Sequence, residues 1–125
     1  MILKEIISIL KTLNYPLYPF GSDIIEDCIV YNFVPLTSDK IKEQNRLEIT
    51  VISKDIETGL IILEKIKGLL LTLGDNKLTD DILEISLNGG GSLENLETNT
   101  FHFKAFFIVK NRYRKDWFYG KNSIR

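Results

Sequence analysis

His102 is the only histidine of this chain and Cys28 the only cysteine, so nucleophilic or acid–base chemistry has one obvious pair to use. A thiol becomes a nucleophile beside a base, and a histidine needs a nucleophile or carboxylate within hydrogen-bond reach. Nothing in the sequence brings the two together. The plainer reading makes Cys28 a small core filler. His102 then lies on the polar side of a strand, beside Lys104. One cysteine forms no intramolecular disulfide, which fits a reducing compartment. One His and one Cys also leave no metal-ligand spacing. Asp80 and Asp81 are adjacent carboxylates ahead of a strand, and adjacent strand residues point to opposite faces, so they read as a turn.

The segment SLNGGGSLENLETNTFHF, residues 86–103, raises phosphate chemistry, because glycine-rich turns after strands cradle phosphates. A P-loop needs a lysine and a hydroxyl residue opening the next helix. Here Gly89, Gly90 and Gly91 lead to Ser92, Leu93 and Glu94, and the next lysine is Lys104. The dinucleotide fingerprint also fails, since Gly89 and Gly91 are followed by Glu94 where a third glycine belongs. The segment reads as a flexible hairpin connection, and Glu94 and Glu97 would repel a phosphate.

Residues 110–121, KNRYRKDWFYGK, interleave Lys110, Arg112, Arg114, Lys115 and Lys121 with Tyr113, Trp117, Phe118 and Tyr119. That mixture suits protein–protein contact. A solvated tail ranks second, and a small nucleic-acid-binding module using phosphate contacts and base stacking ranks third. A net charge of −1 adds no bulk attraction to nucleic acid or to a membrane surface.

These residues need elements to position them. Residues 2–14 carry an amphipathic helical pattern ended by Asn14 and Pro16, with Pro19 and Gly21 extending the turn. DCIVYNFV, 27–34, reads as a strand closed by Pro35. A polar loop follows, and then RLEITVI, 46–52, alternates with Leu47, Ile49 and Val51 on one face. Ser53 or Asp55 caps a second helix running to about Leu73, where Gly74 is a stop. Its wide apolar arc holds Ile56, Leu60, Leu63, Ile66, Leu70 and Leu73, and Ile61 falls outside that arc. DILEISL, 81–87, and TFHFKAFFIV, 100–109, complete the strands. The expected fold class is α+β. A four-stranded, mainly antiparallel sheet carries two helices on one face, in the order α-β-β-α-β-β.

The 125 residues form one expected domain, 1–125, with a flexible tail after about 113. No secretory signal is visible, and Leu60 to Leu73 is interrupted by Glu64, Lys65 and Lys67, so a soluble cytosolic protein with no membrane span is expected.

Taken in order, the N-terminal helix, a strand, a polar loop, RLEITVIS, DIETGLIILEKIKGLL and ILEISLNGGGSLENLETNTFHFKAFFIVKNRY resemble the tail terminator or tail completion proteins of long-tailed bacteriophages. That family includes proteins called minor capsid proteins in phages and prophages of Gram-positive bacteria. The resemblance runs from about residue 2 to 113. It implies a mixed sheet flanked by helices, no enzyme activity, no cofactor and no small-molecule substrate. It also implies a homo-hexameric ring on the head-proximal end of the tail tube, touching the tail-tube protein and the head–tail connector protein. The protein would then belong to the virion, at the tail–head junction, after assembly in the bacterial host cytoplasm.

Within that resemblance, the subunit or partner contacts expected are Ile61, Arg112, Tyr113, Arg114, Trp117, Phe118 and Tyr119. The mobile docking loops expected are Pro35 to Asn45, with Lys40, Lys42 and Glu43, and Asn88 to Thr100, with Gly89, Gly90, Gly91 and Glu94. Three other readings stay open: a head-completion or stopper protein of the neck, the nucleic-acid module, and an enzyme using Cys28 and His102.

Overall fold

The computed structural model describes residues 2–19, 27–38, 42–71 and 82–112. Tyr113, Arg114, Trp117, Phe118, Tyr119 and Lys40 lie outside them, as do Asp80, Asp81 and Gly74.

Helix α1, Ile2–Lys11, buries Ile6 and Leu10, which stand one turn apart at 1% exposure each. Three tight backbone bonds close it, from the N–H groups of Thr12, Leu13 and Asn14 to the carbonyls of Ile9, Leu10 and Lys11, all at 3.1 Å. Asn14 takes a left-handed φ of 62°, a conformation asparagine tolerates, and Pro16 prevents resumption.

The next segment corrects the expected topology. Leu17–Pro19 is a strand, β1, and it pairs in parallel with β2, Cys28–Ser38, through Leu17↔Ile29, Tyr18↔Val30 and Pro19↔Tyr31. After β2 come β3, Lys42–Ser53, helix α2, Ile56–Leu71, β4, Ile82–Asn95, and β5, Thr100–Arg112. The sheet is five-stranded and mixed, in the spatial order β1-β2-β3-β5-β4, and the chain order is α-β-β-β-α-β-β. A four-stranded sheet was expected because three residues that follow Pro16 and end on Pro19 show no periodicity and read as turn.

The other pairs are antiparallel, and they run further than apolar alternation suggested. The β2–β3 hairpin continues to Ser38↔Glu43, so Lys42 and Glu43 open a strand instead of lying in a loop. Strand β4 continues through Gly89, Gly90, Gly91 and Glu94 to Asn95↔Thr100. Only residues 96–99 form the turn, with Asn99 at a left-handed φ of 55°.

One face of the sheet is the core. Leu47, Ile49 and Val51 of β3 and Phe107 and Val109 of β5 are all fully buried, beside Ile29, Phe103 and Ala105. Ile6 and Leu10 of α1 and Ile62, Leu63, Ile66 and Leu70 of α2 join the same cluster, so both helices cover this face. Burial of this order contributes about 25 cal/mol per Å² of apolar surface and is the main stabilising term. A register irregularity between Ile82 and Glu84 places Ile82 and Ile85 in the core. Leu83 is thereby taken out of the alternation and is half-buried, while Leu87 stays in phase with Ile85, opposite Phe107, and is 46% exposed at the sheet edge.

Phe106 and Ile108 point to the opposite face and are half-buried. At one end of the core row stands a buried polar chain. Asn45 Nδ2 donates to Asn111 Oδ1 at 2.8 Å, and Asn111 Nδ2 donates to Glu43 Oε1 at 2.8 Å.

Candidate functional site

The cysteine–histidine pair does not form a dyad. Cys28 is fully buried. It shares a row across the sheet with Ile52 and His102, with β3 between the two. At a strand spacing of about 4.8 Å, their backbones are about 10 Å apart, beyond hydrogen-bond reach. His102 instead places Nε2 3.2 Å from Thr100 Oγ1. Partial burial, and then the neighbouring Lys104 charge, hold its pKa below the usual histidine value, so the ring favours its neutral form. Among the described residues no group of three or more His, Cys, Asp or Glu side chains is placed to hold a metal.

The triglycine stretch is built into the sheet edge. Between Leu87↔Phe107 and Gly90↔Ala105, two β4 residues, Asn88 and Gly89, face one β5 residue, Phe106. This is a β-bulge, and Gly89 supplies its φ of 118°. Gly90 then passes so close to β5 that an added Cβ would lie 2.4 Å from the Lys104 carbonyl oxygen. The glycines shape a strand and present no phosphate cradle.

What they border is an apolar groove. Strand β4 is the last of the sheet, and α2 runs beside it. Leu60, Leu63, Leu87 and Phe103 line the space between them, with Gly89 to Ser92 forming one wall and a volume of about 510 Å³. The charged residues of the lining are Lys67 and Lys104, and no carboxylate contributes to it. A smaller depression continues toward Ile56, Glu94 and Phe101. Asp55 sets the start of this helix, its Oδ2 accepting from the Thr58 N–H at 2.9 Å and the Thr58 hydroxyl at 2.7 Å. Of the two capping residues expected, Asp55 takes the helix N–H, and Ser53 Oγ accepts from the Asp55 N–H at 3.1 Å.

The far end of the β4–β5 hairpin carries a second apolar feature. Leu96 is 76% exposed, the most of any large apolar residue described, and it sits in the turn next to Glu97. The turn is fixed by its own polar groups. Asn95 Oδ1 accepts from the Glu97 N–H at 3.1 Å, and the Thr98 and Thr100 hydroxyls meet at 2.6 Å.

Of the expected contact residues, Ile61 is 48% exposed on α2, where it lines a shallow depression with Leu60, Glu57, Glu64 and Lys65. Arg112 ends β5 opposite Lys42. Glu94 lies in β4 opposite Phe101. Sequence reasoning missed Leu60, Leu87 and Leu96. Leu60 was hidden inside a wide helical arc, and Leu87 faces the core side opposite Phe107 but stands on the edge strand, where it is left 46% exposed. Leu96 had a readable signal, a leucine set among Glu94, Asn95 and Glu97 in a polar turn.

No helix among the described residues is long and apolar enough to cross a membrane. No protein-family model matches the chain, and no curated protein sequence matches it. Among solved structures the fold is similar to that of a chain in the virion of a native gene transfer agent particle. The TM-score is 0.61 at 9% sequence identity, covering 85% of this chain and 86% of that one.

Proposed function

We propose that this chain is a structural protein of a phage-like particle that caps the head-proximal end of the tail, ending tube growth and joining tail to head connector. The observation that carries the reading is the fold shared, over most of both chains, with a protein of a gene transfer agent virion. The resemblance of the sequence elements to tail terminator proteins supplies the finer role. In this reading the protein is no enzyme, and it takes no cofactor or small-molecule substrate. Its working parts are surfaces: the exposed apolar residues of α2, the β4 edge and the β4–β5 turn. Copies assemble through two different patches, which close a ring when the rotation between neighbours allows it. Six copies is the number the resemblance implies.

The test mixes purified protein with tail tubes assembled from tube protein, and separately with filled heads lacking tails. Tail-end capping requires that tubes stop lengthening and that protein co-sediments with them. Binding to filled heads alone would assign the neck-stopper role instead. Binding to neither would sink both.

A further inference from the structure

Two features of this chain complement one another and cannot meet within one molecule. The first is the turn of the β4–β5 hairpin. It offers a fixed, 76% exposed Leu96 flanked by Glu94 and Glu97, and neither carboxylate has a partner among the described residues. The second is the α2–β4 groove, whose apolar lining carries lysines and no carboxylate. Lys67, half-buried, stands there 3.5 Å from the exposed Glu64, a pair that a second carboxylate can join at little cost. An extended strand rises about 3.3 Å per residue, so Leu96 lies about 20 Å along the same strand from Gly90 in the groove wall. Paired β4 and β5 cannot fold back over that distance. The knob therefore reaches a socket only on another molecule.

We propose that the β4–β5 turn of one copy seats in the α2–β4 groove of a second copy, Leu96 entering between Leu60 and Leu87 and Glu97 approaching Lys67. The proposal rests on the assembly reading above and names one of its contacts. A second copy is the occupant that the observations favour, because the same chain supplies an acidic apolar knob and a basic apolar socket. Such a contact is heterologous: each copy uses its turn on one neighbour and its groove on the other, so association continues until a ring closes. The knob enters already ordered by Asn95 and the threonines, which limits the entropy lost on docking.

Sedimentation velocity on the purified chain tests this, using Leu96→Asp to remove the knob and Leu60→Glu to fill the socket with charge. Both positions are exposed, at 76% and 45%, and circular dichroism melts check that the variants fold. The wild-type chain should associate with increasing concentration, and each variant should associate roughly 10–100-fold more weakly. Mixed in equal amounts, the two variants should pair and stop at a heterodimer, since one keeps the socket and the other the knob. A charge exchange gives a second measure: Glu97→Lys and Lys67→Glu each weaken association, and the double variant recovers it. A wild-type chain that stays monomeric to about 1 mM overturns the proposal. So do variants that associate like wild type, or a variant mixture that does not pair. If wild-type protein caps tails while Leu96→Asp associates normally, the contact is wrong and the tail reading stands. If the contact behaves as described but tubes and heads are ignored, the contact stands and the tail reading falls.

Discussion

Replacing Gly89, Gly90 and Gly91 by alanine one at a time should give three different results, although the residues are chemically identical. Gly90 is the severe case. Its new Cβ would lie 2.4 Å from the Lys104 carbonyl oxygen and 3.3 Å from the Ala105 Cα, about 1 Å inside the ordinary contact range that begins at 3.4 Å. Both obstacles are backbone, so no rotamer change relieves the clash. The strands must separate locally, disturbing about two ladder hydrogen bonds worth about 0.5–1.5 kcal/mol each, besides the overpacking itself. The expected loss is about 2–4 kcal/mol.

Gly89 has room, its nearest neighbour being Phe106 at 3.7 Å, but its φ of 118° strains any other residue by about 1–3 kcal/mol. Gly91 has open space and no positive φ. Alanine there should leave stability unchanged or raise it by about 0.4–1 kcal/mol through the unfolded chain. Urea unfolding separates these outcomes. With a slope of about 1–3 kcal/mol per molar, Gly90→Ala should move the midpoint down by about 1–2 M. Equal midpoints for Gly90→Ala and Gly91→Ala would refute the bulge geometry.

Three further predictions follow from polar groups. Asn111→Ala should destabilise by about 1–3 kcal/mol, because the Asn45 amide is left buried without its acceptor. Replacing Asn45 and Asn111 together by valine should cost less than the single change, as a double-mutant cycle in urea would measure. His102 has a folded pKa below the ordinary 6.5, so the unfolded chain binds more protons just below that pH, and stability should fall on acidification through that window. His102→Gln should remove that part of the pH dependence of the melting temperature. Asp55 is the opposite case: the Thr58 hydroxyl and then its N–H hold the carboxyl below 3.8, so its capping contribution is present above that pH and lost as pH falls. Asp55→Ala should lower the melting temperature at pH 7, and Asp55→Asn less so.

How far the sequence discloses this fold depends on where each residue's two sides face. Leu47, Ile49 and Val51 alternate against solvent-side polar residues, and all three are fully buried as the alternation requires. Ile61 stands off the helical arc and is exposed, again as its position predicts. The polar arms of the β2–β3 hairpin give no such signal. Thr37, Ser38 and Lys42 are exposed, so their pairing depends on register carried outward from the apolar rows. β1 is invisible for another reason. Its three residues are held by a parallel neighbour ten or more positions away, and local pattern does not encode that partner. The groove is less legible still, since Leu60 and Leu87 become a surface only once α2 lies beside a bulged β4.

The short parallel seam has a consequence for how this molecule breathes. Strands β2 to β5 are zipped by two long local hairpins and one central pairing, whereas the N-terminal strand holds on by three register positions. Amide exchange in Leu17–Pro19 should therefore proceed through a partial opening well below the global unfolding free energy. Each such opening bares the outer rim of β2, including Ile29 and Tyr31. A dense solution of the protein would then have a route to strand exchange between molecules, entered from the rim opposite the glycine-bulged one.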